Sequence, residues 1–480
     1  MAFTHGVYIE EQVPRRLPLQ AESGLQVVVG LAPINMADSG GDPTAPKLVK
    51  TLEQAKAELG YSDQIDWDTY TICQSVFVSF ETAGIGPVVY INALDPSKHK
   101  ETVEESEITI QGGYLLLRDF GILPSSLTVK STTGVDSYAA GKDYQTEFLS
   151  DGSMRIRILS GGTIPSSASS LKVGYDKLDP TAVTDQDITA AVRKVREVYP
   201  RFQMVPGLLL APMHSRKPMV AAALLGETYR LNGMFNCSAL ADMESAATDT
   251  EESLLAAKKE AGLKAVRAIP CYPNVLASNG KKVAMSALIG AVASRTDAEN
   301  GDVPYVSPSN KAVDILGMAY DDGEEMVSDI EKANWLNSLG IVTCLNFQGW
   351  KTWGNRTGFF VYGDTEYEQR PEDVFIPVRR MFDWWGNSFI LNYFSKVDDP
   401  MNRRLIEAVV DEENMRANGF KARFQIAEAV ISFEDADNPT SDLVKGIIRF
   451  RMRLAPYTPA ETIVNMLEFD ADALTAAIKG

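Results

Sequence analysis

The chain has 480 residues, of which 45% are hydrophobic and 23% are charged. It can therefore bury a sizeable core and divide into roughly two to four domains. Its 64 acidic residues outnumber its 46 basic residues and give a net charge of −18, which argues against a nucleic-acid partner.

The cysteines and the start of the chain bear on where the protein is made. The four cysteines are far apart, without a CxxC pair or a Cys/His cluster, so we expect reduced, buried thiols and synthesis in a cytosol. They are Cys73, Cys237, Cys271 and Cys344. The start lacks a basic region followed by an apolar run, and no apolar stretch reaches about 18 residues. We therefore expect neither a signal peptide nor insertion into a membrane.

A short strand pattern near the start is followed by Pro14 and Pro18, which stiffen the connection to the rest of the chain. A strand beyond a stiff linker predicts an N-terminal arm, residues 1–20, that adds to the sheet of another copy. Its apolar positions are Val7, Tyr8 and Ile9.

A central α/β domain is predicted from residues 21–95 and 180–346. Buried strand patterns alternate with helical patterns in both parts, which favours a largely parallel sheet. In the first part we predict strands at 25–30 and 87–92 and helices at 51–60 and 68–80. In the second part, Pro200 is expected to stop the first helix, and a helix at 324–339 precedes the last strand, 341–346.

Helical periodicity disappears between the two parts of this domain. Short strands alternate there with Gly, Ser and Pro turns, which predicts an inserted all-β domain, residues 96–179, on the surface.

An α+β C-terminal domain, residues 347–455, is predicted next. It opens with a glycine-punctuated turn, continues with helices at 374–394 and 400–418, and ends with strands at 424–433 and 446–454. In the last strand, apolar residues alternate with arginines, the pattern of a half-buried strand. The apolar positions are Ile448, Phe450, Met452 and Leu454.

A C-terminal arm, residues 456–480, follows this strand. Pro456 and Pro459 interrupt the strand, and residues 461–469 resume an extended apolar pattern. A closed domain gains little from such a strand, so one interpretation places it in a neighbouring subunit. The alternative interpretation pairs both arms within their own domain. The apolar arm positions are Ile463, Val464, Met466 and Leu467.

Catalytic motifs are missing from the sequence. No histidine has a partner at metal-ligand or triad spacing, and there is no Walker loop, GxSxG or HExxH. The acidic run Asp411, Glu412 and Glu413 is expected to be a solvated helix face. We predict no catalytic residue, no metal and no cofactor.

Three segments in this order resemble contractile-tail sheath proteins, the sheath subunits of contractile phages, R-type bacteriocins and related injection machines. They are Gly6-Val7-Tyr8-Ile9-Glu10, Trp353-Gly354-Asn355-Arg356-Thr357, and the 446–454 strand followed by Ala455-Pro456-Tyr457-Thr458-Pro459-Ala460-Glu461. The match is best at the termini and in the C-terminal domain; the insertion looks like an outer decoration domain.

This resemblance implies a non-enzymatic subunit of a helical sheath. Such subunits form stacked six-membered rings around an inner tail tube, exchange arms, and contract to drive the tube through a target envelope. The implied partners are other copies, the tube protein, and the baseplate and tail terminator at the ends. The implied location is a virion tail or an extracellular bacteriocin particle, assembled in the host cytoplasm.

Basic residues on the second C-terminal helix are candidates for facing the tube, with a solvated helix face as the rival interpretation. They are Arg403, Arg404, Arg416 and Lys421. The alternative function is an α/β enzyme whose crevice lies at the strand ends near Gly30, Asn92 and Ala211. A tail-tube or baseplate component is disfavoured by the length and by the paired arms.

Overall fold

The computed structural model describes residues 23–38 and 40–479. The first part builds one half of the central sheet, from its middle to one edge, and every residue of its two longer strands is buried. In chain order its elements are β1 (Gln26–Gly30), β2 (Lys47–Val49), α1 (Leu52–Leu59), α2 (Ile72–Val76) and β3 (Val88–Asn92). The helix predicted at 68–80 begins only at Ile72 and continues as the π-helical segment Phe77–Thr82.

The inserted segment has its own small core and two antiparallel sheets. One sheet has the order β4-β10-β6-β7 and the other β5-β9-β8, and side chains such as Leu115, Ile156 and Val173 fill the space between them. The strands are β4 (Lys100–Thr109), β5 (Tyr114–Leu117), β6 (Thr128–Lys130), β7 (Ser137–Tyr138), β8 (Tyr144–Phe148), β9 (Met154–Ile158) and β10 (Ser170–Leu178).

The chain then returns to the central sheet, whose order is β13-β12-β11-β1-β3-β2. All neighbouring strands are parallel except β2, which is antiparallel to β3. The elements are α3 (Asp185–Arg193), α4 (Val198–Phe202), β11 (Leu208–Leu210), α5 (Pro218–Gly226), β12 (Ser238–Asp242), α6 (Glu251–Glu260) and β13 (Ala268–Cys271).

The prediction that Pro200 stops a helix was wrong. The helix loosens earlier, into the 3-10 segment Lys194–Glu197, and Pro200 is the third residue of α4. A proline is tolerated there because the first-turn N–H groups of a helix have no partner within it.

A smaller antiparallel sheet, β15-β14-β16, packs beside the central sheet and was not predicted. The helix predicted at 324–339 is shorter because Asp329 caps its start by accepting a hydrogen bond from the backbone N–H of Lys332. The elements are β14 (Asn274–Ala277), β15 (Lys282–Ala284), α7 (Met285–Glu299), β16 (Ile315–Ala319), α8 (Ile330–Ser338), β17 (Thr343–Asn346) and β18 (Trp350–Trp353).

The C-terminal part packs two long helices against a two-stranded hairpin. Its core contains Met381, Trp385, Ala417 and Ile426. The elements are α9 (Pro371–Val374), α10 (Ile376–Tyr393), α11 (Arg403–Ala422), β19 (Glu428–Ser432), α12 (Thr440–Leu443), β20 (Arg451–Ala455) and α13 (Ala471–Lys479). The chain is thus a mixed α/β multidomain protein.

Candidate functional site

The hairpin of β19 and β20 is antiparallel, with Val430 opposite Arg453 and Ile431 opposite Met452. Its final strand begins only at Arg451 instead of the predicted 446, because residues 444–446 form a turn after α12 and the Asn438 side chain takes the backbone groups of Arg449. The predicted alternation is nevertheless present. Met452 and Leu454 are half-buried against the C-terminal core, while Arg451 and Arg453 are exposed.

The outer edge of β19 is covered. The Asn414 side chain, on α11, donates to the carbonyl oxygen of Ile431 and accepts from its N–H, both at 3.0 Å. This amide side chain therefore occupies the place of a further strand. The backbone groups of Ile431 must then point away from β20, because each strand residue directs its N–H and C=O to one side.

The outer edge of β20 is open. Met452 stands opposite Ile431 in the register, so its N–H and C=O also point out of the hairpin. The N–H and C=O of Leu454, two residues later, point in the same direction. Among the described strands, β20 has only β19 as a hydrogen-bonded neighbour.

Residues 447–450, before β20, form no regular element, but the backbone of Arg449 is paired on one side. The side chain of Asn438 accepts from the N–H of Arg449 at 2.8 Å and donates to its carbonyl at 2.9 Å, which covers the inner side. Ile448 and Phe450 therefore share the outward backbone direction of the two strand residues. The predicted acceptor positions Ile448, Phe450, Met452 and Leu454 are thus the four that line the edge.

Among the described strands, β2, β4 and β7 also lie at the ends of their sheets. The long edge strand β4 of the inserted segment is lined with exposed glutamates, and such charges discourage pairing with another chain. The arginines of β20 do not have this effect on its outer edge, because Arg451 points to Asp437 and donates to it at 2.5 and 2.7 Å.

The C-terminal arm beyond the prolines is strongly exposed. Residues 456–470 form no regular element, and the apolar side chains at the arm positions keep most of their area in water. The exposed fractions are 88% for Ile463, 75% for Val464, 91% for Met466 and 89% for Leu467. The strand predicted at 461–469 is not present within this single chain, and the exposed helix α13 that follows was not predicted.

Glu461, within the described part of the arm, forms hydrogen bonds with the body of its own chain. Glu461 accepts hydrogen bonds from Arg356 at 2.9 and 2.5 Å. The two residues come from the two sequence segments that carried the resemblance in the C-terminal half.

The hairpin is fixed to the central domain through α10. Arg380 forms an ion pair with Asp297 of α7, and their side chains are 4% and 0% exposed. Asp383, one turn further along α10, accepts hydrogen bonds from Nε and Nη2 of Arg267 at 2.8–3.2 Å. Burial raises the pKa of Asp297 and the adjacent Arg380 guanidinium opposes that rise.

The predicted tube-facing residues do not share one surface. Arg403 is 91% exposed and pairs with Glu407, whereas the Arg416 guanidinium lies 4.3 Å from the ring centroid of Trp385 and pairs with Glu413. Arg416 comes thirteen residues after Arg403, so the two side chains lie about 220° apart around the helix axis. Arg404 is exposed, and Lys421 pairs with Glu428.

The expectation that Glu413 belongs to a solvated face was wrong. Its side chain is 0% exposed, and Arg416 and Tyr393 donate to it. The predicted N-terminal arm positions Val7, Tyr8 and Ile9 lie outside the described residues.

Two of the strand ends predicted to form the crevice of the alternative enzyme make structural contacts. Asn92 accepts from the N–H groups of Ala32 and Leu94 and donates to the Leu94 carbonyl. Thr71 accepts from the N–H of Leu31 beside Gly30. The four cysteines are buried and free. Within residues 23–38 and 40–479, no cluster of side chains suits a metal ion.

No helix in the described part of the chain combines the length and apolar character required to cross a bilayer.

The fold is shared with contractile-system assemblies. A chain of the anti-feeding prophage (AFP) baseplate superposes with a TM-score of 0.58 at 15% identity, covering 98% of this chain and 100% of that one. The AFP helical sheath in its contracted state gives a TM-score of 0.56 at 15% identity and the same coverage.

In sequence, the chain is similar to the tail sheath protein of Burkholderia phage BcepMu, with 26% identity over 98% of each chain. No family model matches the chain. The resemblance to contractile-tail sheath proteins is confirmed by the full-length relative.

Proposed function

We propose that this protein is the subunit of a contractile sheath, which polymerises around an inner tube. The observation that carries the proposal is the open edge of β20 together with the exposed apolar arm on the same chain. The unpaired edge of β20 in one copy can form backbone hydrogen bonds with the exposed arm of another copy.

Strand exchange is the proposed link between copies. Ile463, Val464, Met466 and Leu467 of one copy add to the 448–454 edge of a neighbour, and Val7, Tyr8 and Ile9 add a further strand. Each main-chain hydrogen bond contributes about 0.5–1.5 kcal/mol net, so four or five of them provide several kcal/mol. A linkage of that size holds copies together while the globular parts move.

Contraction is then a rigid-body rearrangement of subunits in stacked six-membered rings. The buried ion pairs of Arg380 and Arg267 support this idea, because they join the central and C-terminal parts into one body. The extended sheath is metastable, and its shortening drives the tube through a target envelope. Calorimetry on assembled extended sheath is expected to show an exothermic, irreversible transition.

The tube contact is proposed for the exposed start of α11, where Arg403 and Arg404 lie. Exposed ion pairs of this kind contribute about 0–1 kcal/mol each, so many of them can be released together on contraction. The baseplate and terminator bind the two ends of the sheath, in a phage tail or a bacteriocin particle assembled in the host cytoplasm.

The test is microscopy of the purified chain with and without its tube partner. Long tubes of regular width are expected under negative stain, and a chain shortened after Pro459 is expected to stay unassembled. The alternative, an α/β enzyme, predicts a small oligomer under all these conditions, and that outcome would overturn the proposal.

A further inference from the structure

The arm of this chain is divided into an anchored part and a free part. Glu461 is the last arm residue that pairs with the body, and its side chain is 31% exposed. Two residues later the exposed fraction is 88%, at Ile463. Arm residues on both sides of Glu461 are mostly exposed, so this ion pair is the contact that holds the start of the arm to the body.

The partner of Glu461 is built into the body. The Arg356 guanidinium lies between two aromatic rings, 4.3 Å from the centroid of Phe360 and 3.9 Å from that of Phe375. The two rings restrict its rotation, and its Nε and terminal nitrogen both donate to the Glu461 carboxylate. Two parallel hydrogen bonds and the stacking on aromatic rings fix the orientation of this guanidinium, whereas an ordinary surface ion pair is free to rotate.

The backbone around Arg356 is equally fixed. The N–H of Thr357 donates to the carbonyl of Val374 at 2.9 Å, and the N–H of Ile376 donates to that of Asn355 at 2.8 Å. Gly354 has φ 139°, and a Cβ added to it would lie only 3.1 Å from the Cα of Val342. The turn therefore holds Arg356 against α9 and α10.

The segment between the hairpin and this pair is held at both ends. Ala455 pairs with Glu428 in the hairpin, and Glu461 follows six positions later. Pro456 and Pro459 restrict the backbone in between. The arm therefore leaves the body at a defined point, beside a cleft of about 450 Å³ under Pro459–Thr462.

We infer that the Arg356–Glu461 pair is a latch that positions the arm for capture by a second copy of this chain. Residues 463–470 and α13 then start from a fixed place and together reach about 40 Å. Fixing the start of the exposed arm lowers the conformational entropy that is lost when a second copy captures it. The inference rests on the proposed strand exchange and assigns a role to two residues that do not themselves enter the shared sheet.

The experiment uses the full chain with Glu461→Gln, which keeps the side-chain size and removes the charge. Spin labels at Glu331→Cys on α8 and Met466→Cys on the arm report the arm position in the unassembled chain, since the native cysteines are buried. The distance distribution is expected to be narrower with Glu461 than with the glutamine. The width of the distribution for Arg356→Lys is expected to lie between those of the parent chain and Glu461→Gln.

Assembly is measured on the same variants without labels. The critical concentration for tube formation is expected to rise roughly tenfold for Glu461→Gln, with an unchanged thermal midpoint. The matched control is Glu299→Gln, which removes the exposed Arg295–Glu299 pair and should leave both readings unchanged.

The possible outcomes separate the two proposals. An unchanged distance distribution in Glu461→Gln overturns the latch, as does a broadened distribution with normal assembly. If the parent chain forms no tubes with its tube partner, the sheath proposal fails, and the distance measurement still decides whether the latch exists.

Discussion

Arg380 on α10 donates two hydrogen bonds to Asp297 on α7, in a pair that is almost entirely buried. Ser23, the first described residue, also donates to Asp297, at 3.1 Å. One carboxylate thus joins the helix behind the hairpin, the central domain and the residues just before β1.

Asp297→Asn is expected to destabilise the fold strongly. Removing one partner of a buried pair leaves the other charge without compensation, at a cost of about 3–5 kcal/mol. Urea unfolding of the unassembled chain measures the change. Glu299→Gln, on the same helix but in an exposed pair, is the control and should cost less than about 1 kcal/mol. Equal effects of the two substitutions would contradict this account.

Met452→Pro is expected to block assembly without unfolding the hairpin. Proline removes an N–H that points out of the sheet, so the β19–β20 ladder keeps its hydrogen bonds. Arg453→Pro removes an N–H that faces β19 and should lower the thermal midpoint. Met452→Ala controls for the lost side chain. The edge assignment is wrong if the two proline variants assemble equally well.

Met466→Asp is expected to prevent tube formation at unchanged monomer stability. The side chain is 91% exposed in the single chain, so a carboxylate costs little there, but a shared sheet would bury it. Val135→Asp, at a side chain 81% exposed in the inserted segment, is the control. Thermal unfolding and negative-stain microscopy give the two readings. Normal tubes from Met466→Asp would remove the arm from the interface.

The combined substitution Arg403→Glu and Arg404→Glu is expected to weaken tube-dependent assembly. Several exposed charges act together and are screened by salt, so the defect should be largest at low ionic strength. Lys50→Glu, on the exposed surface of the central domain, should have no effect. Sedimentation with the tube partner is the measurement, and unchanged assembly at low salt would remove α11 from the tube contact.

Lys258 gives the stability a pH dependence. It is 1% exposed and donates to the carbonyl oxygens of Leu339 and Phe360, and burial lowers its pKa to about 7. Above pH 7 the unfolded chain binds the proton more tightly than the folded one, so stability rises with pH toward the ordinary lysine pKa.

Relative to Lys258→Met, the parent chain is expected to gain about 1–3 kcal/mol between pH 6 and pH 9. Unfolding curves at several pH values test this, with the exposed neighbour variant Lys259→Met as control. A constant difference across this range would mean that Lys258 does not titrate there.

The backbone direction of the open edge was predictable because strict alternation fixes it. Once Ile448, Phe450, Met452 and Leu454 face one way, the side on which each N–H points follows from strand geometry. Which edge lacks a neighbour was not predictable. That depends on Asn414 and Asn438, whose side chains replace strands and leave no periodic signal.

Other features were missed for equally physical reasons. β14, β15 and β16 have three to five residues each, too few to show a period. The Arg356–Glu461 contact joins residues 105 positions apart, and no local pattern connects them. The sequence marked both segments as distinctive without showing that they meet.

The inserted segment enters and leaves the central domain at one place. Lys100 stands opposite Leu178 in the β4–β10 pairing, and the N–H of Asp179 donates to the carbonyl of His99 at 2.9 Å. This site is therefore a natural position for the exchange of whole modules, because a different compact domain with adjacent termini could be grafted there without altering the central sheet or the C-terminal hairpin.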